Sequence, residues 1–191
     1  MKQVLYNIQR IFHTTEEEMK AIEKVMQVTF LKKDQLFLKE NDHCNTIGFI
    51  EHGSMRLFYY ATEKEVCNDF FFENSLVGSV ASFITQTPSI VNIAAVEKCE
   101  LLLFAYYDVV ELTRKYPALK TLSNIILQEQ LIRAEKREAS LLKDTPEQRY
   151  KNLMEEHPKI FKRIPLRYVA SYLGITPETL SRYRAKSLLK I

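Results

Sequence analysis

Several large function classes depend on residues that this sequence has little of. Of 191 residues only four are glycine and none is tryptophan, which argues against a glycine-rich nucleotide fold. The three cysteines, Cys44, Cys67 and Cys99, stand far apart and form no C-x-x-C pair. A zinc ribbon or thioredoxin-type motif is therefore not expected, and reduced, buried thiols are. No stretch approaches the roughly 18 apolar residues of a membrane span; the longest apolar run is Leu101 to Tyr107. Met1 to Phe12 alternates polar and apolar residues without a signal-peptide core, so a cytoplasmic protein with no membrane partner is the expectation. No nucleophile–base pair, paired catalytic carboxylates or metal-spaced ligands stand out. Cys67-Asn68-Asp69 lacks an identifiable histidine partner, and His13 and His157 read as surface residues. Neither a catalytic nor a metal site is expected.

What is present points to a packed protein with two characters. Hydrophobic residues make up 46% and charged residues 27%, enough for one large domain or two small ones. The net charge of +3 is uneven. Residues 145–191 hold ten Lys and Arg against four Asp and Glu, and the rest holds 17 against 20. A basic C-terminal module on a mildly acidic body suggests a polyanionic partner, most simply nucleic acid.

Local patterns divide the chain. Thr15 and Glu18 form a capping-box signature for a helix from Glu16 to about Val28, with Glu16, Glu17 and Glu18 in its first turn as solvated carboxylates rather than a catalytic cluster. From Val28 to Ala105 short β segments follow. Ile47–Ile50 and Met55–Tyr59 flank Glu51-His52-Gly53-Ser54, which reads as a hairpin. Further strands are expected at Glu65–Phe72, Val91–Val96 and Glu100–Ala105. Many short strands without βαβ alternation indicate a sandwich or barrel. Tyr107–Lys115 reads as a short helix and Pro117–Lys143 as a long one, spanning roughly 40 Å. Leu119, Leu122, Ile126 and Glu129, with Ile125 and Ile132 alongside, give a 3–4 spacing. Such a stripe is buried either by a second copy, as a dimer seam, or by the chain's own β domain. Thr145, Pro146 and Gln148 then restart a helix. The expected segments are a β domain at 1–116, a dimerisation helix at 117–144 and a DNA-binding domain at 145–191.

The most specific pattern runs from Pro165 to Arg184: helix, tight turn, helix. Val169, Ala170 and Leu173 face inward, and Ala170 is small enough for close approach. Gly174 supplies the left-handed turn residue. Ile175 plugs the corner, Thr176 caps the second helix, and Pro177 takes its first position. Leu180, Tyr183 and Leu188 are expected to pack inward. Glu178, Ser181, Arg182 and Ala185 lie on the other face. There Arg182 can pair with guanine and Glu178 can accept from cytosine in a major groove. Lys162, Arg163, Arg167, Thr176, Thr179, Arg184 and Lys186 surround them as phosphate-gripping candidates.

With these residues in place, the chain resembles the Crp/Fnr family of bacterial transcription regulators along nearly its whole length, its Bacteroidetes-type members in particular. Ile175 to Arg182 resembles that family's recognition-helix signature, and Glu178, Ser181 and Arg182 match the trio of its Fnr-like branch. The resemblance implies an α+β fold: an N-terminal β-roll (a double-stranded β-helix or jelly roll, like a cyclic nucleotide-binding domain), a dimerisation helix and a C-terminal helix-turn-helix. It also implies double-stranded DNA, a second copy, RNA polymerase and a small-molecule effector as partners, and a palindrome with TTGA-like half-sites. The chain stops at Ile191, so a β wing after the recognition helix is expected to be reduced or missing.

The family's phosphate-binding cassette pairs Gly-Glu with a later Arg-Ser. Glu holds the ribose hydroxyl and Arg neutralises the cyclic phosphate. The matching stretch runs from Leu76 to Val91. Gly78 is retained, but Ser79 stands in place of Glu, and Ser89 and Ile90 in place of Arg-Ser. No Arg or Lys lies between Lys64 and Lys98, and a buried phosphate without a cation is costly. Gly78, Ser79, Val80, Ser82, Ser89 and Ile90 remain the candidate effector pocket, with Thr85 and Thr87 nearby. A cyclic nucleotide, another effector and no effector all stay open. An iron–sulfur sensor is not expected, since no cysteine precedes Cys44; His43, Cys44 and His52 are haem ligands by residue type only. The competing reading of the whole chain is a small-molecule sensor or protein-interaction module without specific DNA binding.

Overall fold

The computed structural model describes residues 2–62 and 64–188, the last two by backbone alone. The chain divides into two compact units, residues 1–56 with 71–131, and residues 57–70 with 132–191. This division cuts the long helix between Leu131 and Ile132 and joins residues 57–70 to the C-terminal part, unlike the three segments expected from sequence.

Two four-stranded sheets form the β-roll. The first is ordered β1-β8-β3-β6, from β1 (Gln27–Leu31), β8 (Cys99–Ala105), β3 (Thr46–His52) and β6 (Leu76–Val77). Its pairs are antiparallel, with Thr29 opposite Leu101 and Phe49 opposite both Leu102 and Leu76. The second is ordered β2-β7-β4-β5, from β2 (Leu36–Leu38), β7 (Asn92–Ala95), β4 (Met55–Ala61) and β5 (Lys64–Phe71). The division between the units falls inside β4.

The expected hairpin of β3 and β4 is not formed, because the two strands belong to different sheets. Both edges of β3 are already taken, by β8 and β6. Gly53, at φ +106°, turns the chain out of the first sheet. Ser54 then accepts from Val96 N at 2.8 Å, and the Gly53 N–H donates to the Glu73 carboxylate at 3.0 Å.

Helices cover the outer side of the first sheet. The N-terminal segment, ahead of the first expected helix, forms α1 (Gln3–Phe12), burying Val4, Leu5 and Ile8. Its first N–H groups, on Gln3 and Val4, are capped by the Glu51 carboxylate at 2.6 and 3.0 Å, a cap from 47 residues away or more that local sequence does not reveal. The capping box of α2 (Glu16–Val25) is present. Glu18 is buried within it rather than solvated, and the helix stops before Gln27, where β1 begins. Short α3 (Val80–Thr85) and α4 (Tyr106–Lys115) follow, and α5 runs over the expected Pro117–Lys143.

The expected dimer seam needs correction. Leu119 and Leu122 are buried in a cluster with Val4, Ile8, Ile22 and Phe104 of the same chain, and Ile126 packs against it. This is the alternative in which the stripe is covered by the chain's own β domain. Glu129 is exposed. The apolar residues that α5 leaves exposed are Leu131, Ile132, Leu141 and Leu142.

The second unit is built around polar contacts of β5. Arg133 donates to Asp69 Oδ1 and to the Phe70 carbonyl, at 2.5 and 2.6 Å. One turn later Arg137 donates to the Tyr172 carbonyl at 2.5 Å and lies 3.7 Å from the Tyr172 ring centroid, a cation–π arrangement. The Ser171 hydroxyl accepts from Cys67 N and donates to the Glu65 carbonyl, both at 3.0 Å. Burial pushes the Asp69 carboxyl above its ordinary value, against the pull of Arg133, and burial likewise raises the Tyr172 phenol. All three cysteines are buried, as expected.

The Gly53 corner yields a stability test. A Cβ there would lie 2.7 Å from the Lys98 carbonyl oxygen and 2.9 Å from Cys99 Cα, and the positive φ alone costs about 1–3 kcal/mol for another residue. Gly53→Ala is expected to lower the unfolding free energy by about 2 kcal/mol or more in urea titration. A loss below about 0.5 kcal/mol, the level of an ordinary surface substitution, would contradict the corner's role.

Candidate nucleic-acid interface

Among its described residues the C-terminal unit carries four helices beyond α5. They are α6 (Pro146–Glu156), whose Thr145–Gln148 capping box is present, α7 (Ile160–Arg163), α8 (Leu166–Leu173) and α9 (Pro177–Leu188). The helix-turn-helix is α8 and α9. Gly174 takes the left-handed conformation at φ 67°, ψ 36°, and Ile175 N reaches back to the Ala170 carbonyl at 3.0 Å, closing α8. Thr176 Oγ1 accepts from Thr179 N at 3.3 Å, as an N-cap should. Val169, Ala170, Leu173 and Leu180 are almost wholly buried, so the two helices meet on the face that the spacing predicts. Tyr183 is half-buried, its ring 5.6 Å from that of Tyr150. The side chain of Leu188, and the chain after it where a wing would fall, lie outside the described residues.

Three arginines that position this unit were missed by the sequence reading. Arg149, counted there only as charge, donates through Nε and a terminal nitrogen to the Leu173 carbonyl at 3.0 and 2.9 Å, and to the Asp144 carbonyl at 2.7 Å. It places a guanidinium at the C-terminus of α8, where the helix dipole favours a cation. Arg133 and Arg137 are the other two. Their i, i+4 spacing on one face was the available signal.

The three expected base-reading residues share the outer side of α9. Glu178, Ser181 and Arg182 are all exposed, while Leu180 between them is buried. The Glu178 carboxyl is held below its ordinary value, first by its own backbone N–H and then by the Thr176 hydroxyl, so it is an acceptor at neutral pH. Lys162, Arg167, Thr176, Arg184 and Lys186 are exposed, and Arg163 and Thr179 are half-buried. Arg167 donates to the Tyr168 hydroxyl at 2.9 Å and sits 4.7 Å from that ring's centroid.

The candidate effector pocket assembles less well. Ser79 caps α3, accepting from Ser82 N at 3.4 Å. Ser82 Oγ donates to the Thr87 carbonyl at 2.5 Å and accepts from Cys44 N at 3.0 Å. Ser89 Oγ donates to the Val91 carbonyl at 2.9 Å and accepts from Val91 N at 3.1 Å. These hydroxyls are buried, but they satisfy backbone groups of their own loop and, for Ser82, the Cys44 N–H. Gly78 and Val80 are half-buried. Ile90 is 67% exposed, its side chain in solvent rather than walling the expected pocket. Thr85 and Thr87 are exposed and bonded to each other at 2.6 Å. Of the haem-ligand types, His43 and His52 are exposed, and the Cys44 thiol, raised by burial, donates to the Thr46 carbonyl at 3.2 Å. Among the described residues no cluster could hold a metal ion, and no helix is long and apolar enough to cross a membrane.

Comparison with known proteins agrees with this geometry. Residues 28–116 match the cyclic nucleotide-binding domain family. No curated protein matches the chain. Among solved structures, FixK2 from Bradyrhizobium japonicum superposes with a TM-score of 0.77 at 14% identity, covering 87% of this chain and 86% of that one. A protein described as a regulator of the crp/fnr family from Eubacterium rectale gives 0.69 at 17%, covering 93% and 85%. Catabolite activator protein from Thermus thermophilus gives 0.59 at 21%, covering 94% and 87%. At these identities the likeness is one of fold. Residues 28–116 are thus similar to the cyclic nucleotide-binding domain family, and the chain as a whole has the fold of the Crp/Fnr transcription regulators.

Proposed function

We propose that this protein is a sequence-specific DNA-binding transcription regulator that works in the cytoplasm as a homodimer, with RNA polymerase as a further partner. The observation that carries the reading is the outer face of α9. It presents Glu178, Ser181 and Arg182 to solvent on a helix fixed by buried Leu180 and the Gly174 turn. An acceptor and a guanidinium on adjacent turns suit base edges in a major groove, and the surrounding Lys and Arg suit phosphates. A sensor or interaction module without DNA specificity gives no role to that exposed trio.

Selection of bound sequences from a random duplex pool is expected to enrich a palindrome with TTGA-like half-sites. Arg182→Ala should then cost about 1–3 kcal/mol on that site and relax its base preference. Lys186→Ala should weaken all sequences alike and lower the salt slope by about one unit. Enrichment of no palindrome, or equal loss by folded Arg182→Ala on specific and random DNA, would contradict base reading.

The β-roll does not hold cyclic AMP in the family's usual way. Ser79 replaces the cassette Glu, no cation lies between Lys64 and Lys98, and the serine hydroxyls bond their own loop. Calorimetry is expected to show no micromolar affinity, the scale of about −8 kcal/mol. A micromolar isotherm would mean that backbone amides suffice for the phosphate.

The dimer seam is the face of α5 that the β-roll leaves open. Ile125, Ile132 and Ala139 recur every seven residues and Leu142 follows, the spacing of one row of a helix-pairing seam; Ile132 is 53% and Leu142 77% exposed. Ile132→Asp should convert a dimer to a monomer in sedimentation without lowering helix content. A wild-type monomer at micromolar concentration, with and without DNA, would refute the seam.

A further inference from the structure

We propose that the N-terminal unit holds a binding site for a small, uncharged aromatic molecule, about the size of one substituted ring, on the helix-covered side of the first sheet. A cavity of about 140 Å³ opens there among β3, α3, α4 and the first half of α5. Phe49, Phe83, Leu112, Leu122 and Ile126 wall it, no charged side chain lines it, and the hydroxyls on the wall are those of Thr113 and Ser123. Thr113 Oγ1 already donates to the Val109 carbonyl at 2.8 Å.

The chemistry of the ligand follows from that wall. A buried water needs two to four polar partners, which this lining does not supply, and apolar cavities of about 150 Å³ stay dry and admit ring-sized apolar molecules. An apolar solute of that size recovers the dispersion contacts that the walls otherwise lack. Three phenyl rings in the wall, Phe49 and Phe104 meeting edge-on and Phe83 meeting Tyr106 edge-on, favour an aromatic over an aliphatic guest. A charged guest is disfavoured, since it would be desolvated with no counter-charge.

This site shares Val80 with the cassette segment, but none of the cassette serines lines it. Ile47 and Phe49 line it, whereas Gly48 and Ile50 point to the opposite face of the same strand. Its walls nonetheless join α3, which carries the cassette segment, to α5. The inference does not rest on DNA binding. A second copy of the chain is the competing occupant. A helix is about 10–12 Å across and does not fit such a volume, so only a single side chain could enter.

The test uses the full chain and toluene. Toluene is expected to raise Tm in a saturable way by binding the folded state, while benzoate, the same ring with a charge, leaves it unchanged. Ser123→Leu, which fills the cavity, should abolish the toluene shift. No saturable shift in the wild type, an equal shift with benzoate, or an undiminished shift in folded Ser123→Leu would overturn the proposal. So would a cavity already filled by a second copy, seen as no toluene shift together with an altered oligomeric state in Ser123→Leu. The chain has no tryptophan, so Ile84→Trp at the cavity wall gives a unique fluorophore that decides the matter even where Ser123→Leu does not fold. Bromobenzene is expected to quench it saturably, and purely collisional, linear quenching would overturn the site.

Discussion

A helix of 27 residues is too long to be buried by one small body, and α5 meets that constraint by changing the kind of contact along its length. Its first half is held by apolar packing, with Leu119 and Leu122 buried against α1, α2 and the sheet. Its second half offers guanidinium groups instead, Arg133 to Asp69 and Arg137 to Tyr172. Charge-assisted hydrogen bonds of this kind fix direction as well as proximity. The carbonyl that Arg137 holds belongs to α8, the first helix of the helix-turn-helix, and the neighbouring Ser171 is seated on the edge of β5. The placement of α9 within the second unit thus depends on polar groups whose partners are backbone carbonyls, while its inward face depends on Leu180.

Features with local causes were legible in the sequence. The Thr15 and Thr145 capping boxes, the Gly174 turn, the Thr176 cap and the bounds of α5 each follow from residues within a few positions of one another. What was hidden has distant causes. No local pattern shows that Glu51 caps α1, or that β3 has both edges occupied and cannot pair with β4. The apolar stripe on α5 was visible, but periodicity does not say which body covers it. Arg149 illustrates the same limit at the candidate site. Its charge was counted, while its work at the end of α8 depends on a chain reversal 24 residues long.

The β-roll retains the frame of a cyclic nucleotide-binding domain with different chemistry inside. Where the family's cassette sets a carboxylate and a guanidinium, this chain has serines that close their own loop. On the helix-covered side of the first sheet, apolar walls line an open cavity that suits an uncharged guest. The electrostatic division is equally sharp at the other end of the chain, where a basic module exposes one lowered carboxyl, Glu178, among its cations.

The central claim is that the outer face of α9 enters a DNA major groove. Guanine N7 lies in that groove and is methylated by dimethyl sulfate, so footprinting reads the claim directly. The account predicts protected guanines in two half-sites about 10–10.5 base pairs apart, centre to centre, or a multiple of that. A bound duplex with every guanine N7 still reactive would contradict it.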